Sequence, residues 1–259
     1  MDLVWTTVNF VFLQNETLYI SLPFLRVFTI KELEGVIGHE LGHFQGNDTI
    51  YANKFDPIFR RLNEHFLELD IEFEKQKKEN KSDPLLIKIV IFPFIFLFNE
   101  FSRKHEKIQK EQELKADKYG ANASESSKVF INALSKLYIY NLVWNDTKEK
   151  FNIIAQDNKK NKIKNLSLEF VQDARQLLEK DKLKMYLENL QFFEQVHPSD
   201  THPPLKDRMK NLDVEMKEIS NKSLANFLPS AASLIPNIDV IEENLTTVSN
   251  EIEKNNDQR

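Results

Sequence analysis

The chain has 259 residues, 41% hydrophobic and 29% charged, with no cysteine and six histidines. That length supports one large domain or two small ones, and the missing cysteine excludes disulfides, thiol nucleophiles and thiolate zinc sites, so any metal must be held by His, Asp or Glu. Of the net charge of −5, most sits in residues 237–259, where six acids face Lys254 and Arg259; the nearly neutral remainder offers no positive field to a nucleic-acid backbone, and no nucleic-acid partner is expected.

The N-terminus, Met1-Asp2-Leu3-Val4-Trp5, has no basic region and no small-residue cleavage site. No signal peptide is read, and a cytoplasmic or membrane-associated location is expected. Val8 to Leu13 and Thr17 to Leu22 are short runs rich in β-branched and aromatic residues around Gln14-Asn15-Glu16, which predicts a hairpin. Thr29 and Glu32 have capping-box spacing, and Leu33, Val36, Ile37, Leu41 and Phe44 follow at helical intervals, so a helix is predicted from Ile30 to Gln45, stopping near Gly46.

Ile50 to Lys78 reads as helical, with Ile58, Leu62, Phe66, Leu69 and Phe73 on one stripe. Asn80 to Pro84 interrupts it, and Asp83-Pro84 opens a helix that runs through a kink at Pro93 to a stop at Gly120. Two or three further helices are predicted between Ser126 and Lys217. From about Ser220 the chain turns polar, with Pro229 and Pro236, and is expected to be loosely packed, with room for a short helix between Asn237 and Glu253. The fold class expected is mainly α with a small antiparallel sheet (α+β), in a domain over 1–217 followed by an acidic polar tail over 218–259.

Leu85 to Phe98 is apolar at every position but Lys88. Fourteen residues fall short of the roughly 20 that a spanning helix needs, so a buried or interfacial helix is expected, with peripheral membrane contact through this run as the other role. Core packing is the expected place for Phe92, Phe94, Phe96 and Phe98.

His39-Glu40-Leu41-Gly42-His43 carries the chemistry. On a helix the i and i+4 side chains share a face, so both imidazoles reach one ion while Glu40 sits beside it as a general base. The longer pattern with a third histidine matches at Gly46 and fails at Thr49, which removes the metzincin reading. Glu113 and Asp117, also i and i+4, are the best second pair: Glu113 as third metal ligand, with Glu111 as the alternative, and Asp117 as acceptor of a ligand histidine's free N–H.

With these residues in hand, the chain resembles the gluzincin metalloendopeptidases that include the CAAX prenyl protease and the heat-shock membrane protease HtpX. The likeness rests on the hairpin, on Glu34 to His43, on Glu113 to Asp117 and on Thr201-His202-Pro203-Pro204-Leu205-Lys206-Asp207-Arg208, in that order. It spans roughly residues 5 to 215. It implies a zincin-like fold and cleavage of protein or peptide substrates, with one Zn²⁺ held by His39, His43 and Glu113. It also implies that His202 and Arg208 line the site, steadying the oxyanion or ordering the acidic residues behind the ligands.

Membrane-embedded members carry spanning helices that this chain, beginning almost at the hairpin, is expected to lack, as a soluble-type or partial member. One span at Leu85 to Phe98 would leave His43 and Glu113 on opposite sides of a bilayer, unable to share an ion. The strand Leu18 to Leu22 is a candidate edge for an extended substrate. His65, His105 and His197 are assigned to surface or packing. A zincin-fold binding or chaperone-like module without turnover is the competing expectation, against which Glu40 argues. The oligomeric state is not read from the sequence.

Overall fold

The computed structural model describes residues 5–9, 17–44, 57–58, 60–62, 64–65, 68, 71, 75, 85–156, 163–179, 186 and 203–256. It is mostly helical. By its internal contacts the chain forms two compact units, one made of residues 1–42 and 114–259 and the other of residues 43–113.

In the first unit, strands β1 (Trp5–Asn9) and β2 (Thr17–Ser21) pair antiparallel, with Trp5 opposite Ser21 and Val8 opposite Leu18. β1 begins three residues before the run that suggested it, and Phe10 to Leu13 lie outside the described residues. Leu22, read as the end of a strand, instead opens helix α1 (Leu22–Val27). Pro23 in the first turn has the φ a helix start requires, and five of the six side chains, all but Arg26, are buried.

Helix α2 (Ile30–Phe44) starts where the capping box places it. The Glu32 N–H donates to Thr29 Oγ1 at 3.2 Å, and the Thr29 N–H donates to Glu32 Oε2 at 2.8 Å. Helix α3 (Leu85–Ala123) runs through Pro93 and past Gly120, the expected stop. Glu125, with φ at 60°, makes the turn instead. Gly120 has a packing reason: a Cβ there would lie 2.6 Å from the Phe130 ring and 2.9 Å from the Gly35 carbonyl.

Helices α4 (Ser127–Gln156) and α5 (Leu166–Glu179) supply much of the core, and α6 (Leu205–Asn211) packs its buried Leu205 and Met209 into it. At the centre, Phe170 meets Phe24 at 5.5 Å, and Trp144 at 5.4 Å edge-on. The segment expected to be loosely packed is not. Short α7 (Asn221–Leu224) and the longer α8 (Ile238–Asn256) belong to this unit, and Ile219, Leu224, Phe227, Ala231 and Ile238 are buried in its core. Apolar residues spaced too irregularly for one helix face are what the sequence reading missed there.

In the second unit, Ile58 and Leu62 are helical, as their spacing predicts, and both are exposed, as is Ile71. Phe66, Leu69 and Phe73 lie outside the described residues. On α3, Ile95, Phe96 and Leu97 are exposed, which overturns core packing for Phe96. A helix of 39 residues extends about 58 Å, more than a small core covers along its length.

Candidate metal centre

His39 and His43 stand one turn apart on α2, with Glu40 between them. His43 Nε2 lies 3.4 Å from Glu113 Oε1. His39 is buried; its ring stacks on Phe130 at 5.8 Å, and its Nδ1 lies 3.2 Å from Asp117 Oδ1. With Nδ1 turned to the carboxylate, Nε2 is the nitrogen left to face a metal. One atom from each of His39, His43 and Glu113 lies within 4.8 Å of the others, so the three form a group able to hold a metal ion.

The donor set suits zinc. Two ligands at 2.0–2.1 Å on a tetrahedral ion stand about 3.3 Å apart, close to the His43–Glu113 spacing, and two imidazoles with one carboxylate are borderline donors that zinc accepts. Glu111, the alternative third ligand, is exposed and turned toward Lys107 at 3.9 Å.

Asp117 is fully buried and is held by a second group from α6. Arg208 Nε lies 3.0 Å from each carboxylate oxygen, and its Nη2 reaches Oδ1 at 2.5 Å and stands 3.5 Å from His39 Nδ1. Burial alone would raise the Asp117 carboxyl, but the hydrogen bond with His39 and the Arg208 charge outweigh it and hold the group below the ordinary carboxylate range. Arg208, buried as well, is placed beside Asp117 and the His39 ring.

The sequence model of peptidase family M48 matches residues 8–216. The chain belongs to peptidase family M48. It is therefore a metallopeptidase of the CAAX prenyl protease and HtpX type, a family that is zinc-dependent in general and whose members act on proteins or peptides. No curated protein and no solved structure matches it. Among the described residues of this M48 chain no helix is long and apolar enough to cross a membrane.

His202 and His197 lie outside the described residues, while His105 is buried in α3 and His65 is exposed beside Glu68 at 3.3 Å. Two contacts of the M48 site escaped the sequence reading. Phe130 backs the His39 ring, and Asn211 Nδ2 donates to the Leu114 carbonyl at 2.7 Å, tying α6 to the helix that carries Asp117. Neither left a signal in one sequence, since an aromatic on a core stripe and an Asn near a helix end are common.

Proposed function

We propose that the chain is a zinc-dependent endopeptidase in which His39, His43 and Glu113 hold one Zn²⁺ and Glu40 is the general base. The observation that carries this reading is the His39–His43–Glu113 group, flanked on the same helix by Glu40. When bound, zinc supplies Lewis acidity, which makes water a nucleophile near neutral pH and polarises the scissile carbonyl. Glu40 takes the proton of the attacking water and delivers it to the leaving amine. Asp117 fixes the tautomer and orientation of His39, and Arg208 is a positioning residue that fixes Asp117.

By the likeness of its third motif, His202 is assigned to hydrogen-bonding the developing oxyanion. The strand β2, with Tyr19 exposed, is the proposed edge along which an extended substrate adds. Residues 1–217, close to the extent of the family match ending at 216, are taken to carry the site and its motifs, and 218–259 to complete the core on which they fold.

The test is metal content and peptide cleavage for the parent and for Glu40→Gln. About one zinc is expected in each, with turnover lower by at least ~10² in the variant. Unchanged cleavage in Glu40→Gln would sink the assignment. Zinc without cleavage by the parent would favour a silent binding module.

A further inference from the structure

Gly42 lies inside helix α2, immediately before His43. Glycine is the poorest helix former after proline, so its presence there calls for a packing reason. The reason is a close approach of α2 to α3. A Cβ at residue 42 would lie 3.2 Å from Ala116 Cα, 3.1 Å from Tyr119 Cβ and 2.9 Å from Tyr119 Cδ2. Carbon atoms rest at about 3.5–4.0 Å. Turning the half-buried Tyr119 ring would relieve only the last of these contacts, since Ala116 Cα and Tyr119 Cβ move only with the backbone of α3.

The contact lies one residue from His43 on α2, and Glu113 precedes Ala116 by about one turn on α3. Both stretches are continuous helix, so a backbone shift at the contact carries His43 and Glu113 with it. Their spacing has little slack. His43 Nε2 stands 3.4 Å from Glu113 Oε1, against about 3.3 Å for two ligands of a tetrahedral zinc ion, and ligand distances tolerate about 0.2 Å. Bringing the 3.2 Å contact up to even 3.5 Å parts the two backbones by about 0.3 Å, more than that tolerance.

Resting on the zinc-centre reading above, we propose that Gly42 is a positioning residue that gauges the centre. Its contact with Ala116 and Tyr119 fixes the His43–Glu113 spacing and thereby fits these donors to an ion of zinc's size rather than a larger one. Cadmium is the discriminating probe. It shares zinc's filled d shell and differs in being larger, and its greater softness cancels when the ratio of the two affinities is compared between chains with the same donors.

The experiment measures zinc and cadmium affinities of the full chain by chelator competition, with peptide cleavage followed on the same samples. Gly42→Ala is expected to weaken zinc by about 10-fold and cadmium by less than ~3-fold, so that the zinc-to-cadmium ratio falls. Glu242→Ala, which removes an acceptor of Arg26 and Asn165 far along the chain from either contact residue, destabilises the protein and should keep the parent ratio. If Gly42→Ala does not fold, Gly42→Ala/Tyr119→Ala removes the ring contact and keeps the other two, and its ratio should fall relative to Tyr119→Ala alone.

Equal losses of both metals in Gly42→Ala, parent-like affinities, or the same fall in ratio in Glu242→Ala overturns the gauge while leaving the endopeptidase reading standing. A parent that binds both metals, shows the fall in Gly42→Ala and cleaves nothing supports the gauge and overturns the endopeptidase reading alone. A parent that binds neither metal overturns both.

Discussion

Arg208 grips Asp117 through both carboxylate oxygens, its Nε 3.0 Å from each, while the same carboxylate stands 3.2 Å from His39 Nδ1. A guanidinium matches that geometry and an ammonium does not, because only the planar fork presents fixed parallel donors. Partners behind metal ligands typically matter 10–100-fold in metal affinity. Arg208→Lys is therefore expected to weaken zinc by about 10-fold and Asp117→Ala by about 100-fold, as read by chelator competition. Parent-like zinc affinity in Arg208→Lys would show that charge alone suffices at this position.

Close packing of α2 on the C-terminal part of α3 gives a second prediction. A Cβ at Gly38 would lie 2.4 Å from the Ala123 Cβ and 3.1 Å from the Tyr119 carbonyl. Alanine normally gains about 1 kcal/mol over glycine inside a helix, but overpacking of this kind costs about 1–3 kcal/mol. Gly38→Ala should thus be neutral to destabilising in urea unfolding, against the propensity rule. Since the obstructing atom is a methyl group, Ala123→Gly in the same chain should restore most of the loss, and a double-mutant cycle measures the coupling.

The parts of this molecule that were legible share a physical basis, namely short-range spacing. Thr29 and Glu32 cap α2, His39 and His43 share its face, and Asp117 follows Glu113 by one turn, all relations fixed by helix geometry. What stayed hidden depends on tertiary partners. Leu22 to Val27 is too short to display a period and Pro23 looked like a strand end, whereas burial of five side chains makes it a helix. Lys136 would be placed in solvent by residue type, yet it is fully buried. The residues after 218 read as a polar tail because their apolar groups are scattered among Ser, Asn and Glu, and the folded chain gathers Ile219, Leu224, Phe227 and Ile238 into one core.

That C-terminal segment leads to a third prediction. Glu242 on α8 is buried, accepts from Arg26 Nε at 3.2 Å and Nη2 at 2.6 Å, and also accepts from Asn165 Nδ2 at 3.1 Å. Thr246 Oγ1 accepts the Leu166 N–H at 3.0 Å, and the Pro229 carbonyl accepts the Ile30 N–H at 2.9 Å, at the start of the helix that carries His39 and His43. Removing these partners uncovers donors and apolar surface on α1, α2 and α5. A chain ending at Lys217 is expected to be insoluble or to lack a cooperative thermal transition. A fragment that melts at the parent's Tm would show the segment to be dispensable. Glu242→Ala in the full chain should cost about 1–3 kcal/mol by leaving buried donors unmet.

Lys136 supplies the last prediction. Its ammonium donates to Glu32 Oε2 at 2.7 Å, to the Val27 carbonyl at 2.9 Å and to the Asn226 carbonyl at 2.5 Å. All three donors are used, and they join α4 to the capping box of α2 and to the C-terminal segment. Burial pushes this lysine below its ordinary range, with Glu32 opposing the shift only in part. The unfolded chain therefore binds the proton more tightly than the folded one. As pH rises from the folded value toward the ordinary 10.5, the unfolded state holds more protons, and the lysine's contribution to stability increases; below the folded value its penalty is constant. Lys136→Met abolishes that rise and strands Glu32 as a buried, unpaired carboxylate, a loss of about 3–5 kcal/mol. Adding Glu32→Gln removes the stranded charge while its amide oxygen still accepts the Thr29 N–H, so the double variant should regain much of the loss. Urea unfolding at a series of pH values from 7 to 10 is expected to give a parent-to-Lys136→Met difference that widens with pH. A difference that shrinks over that range would reverse the sign assigned to Lys136.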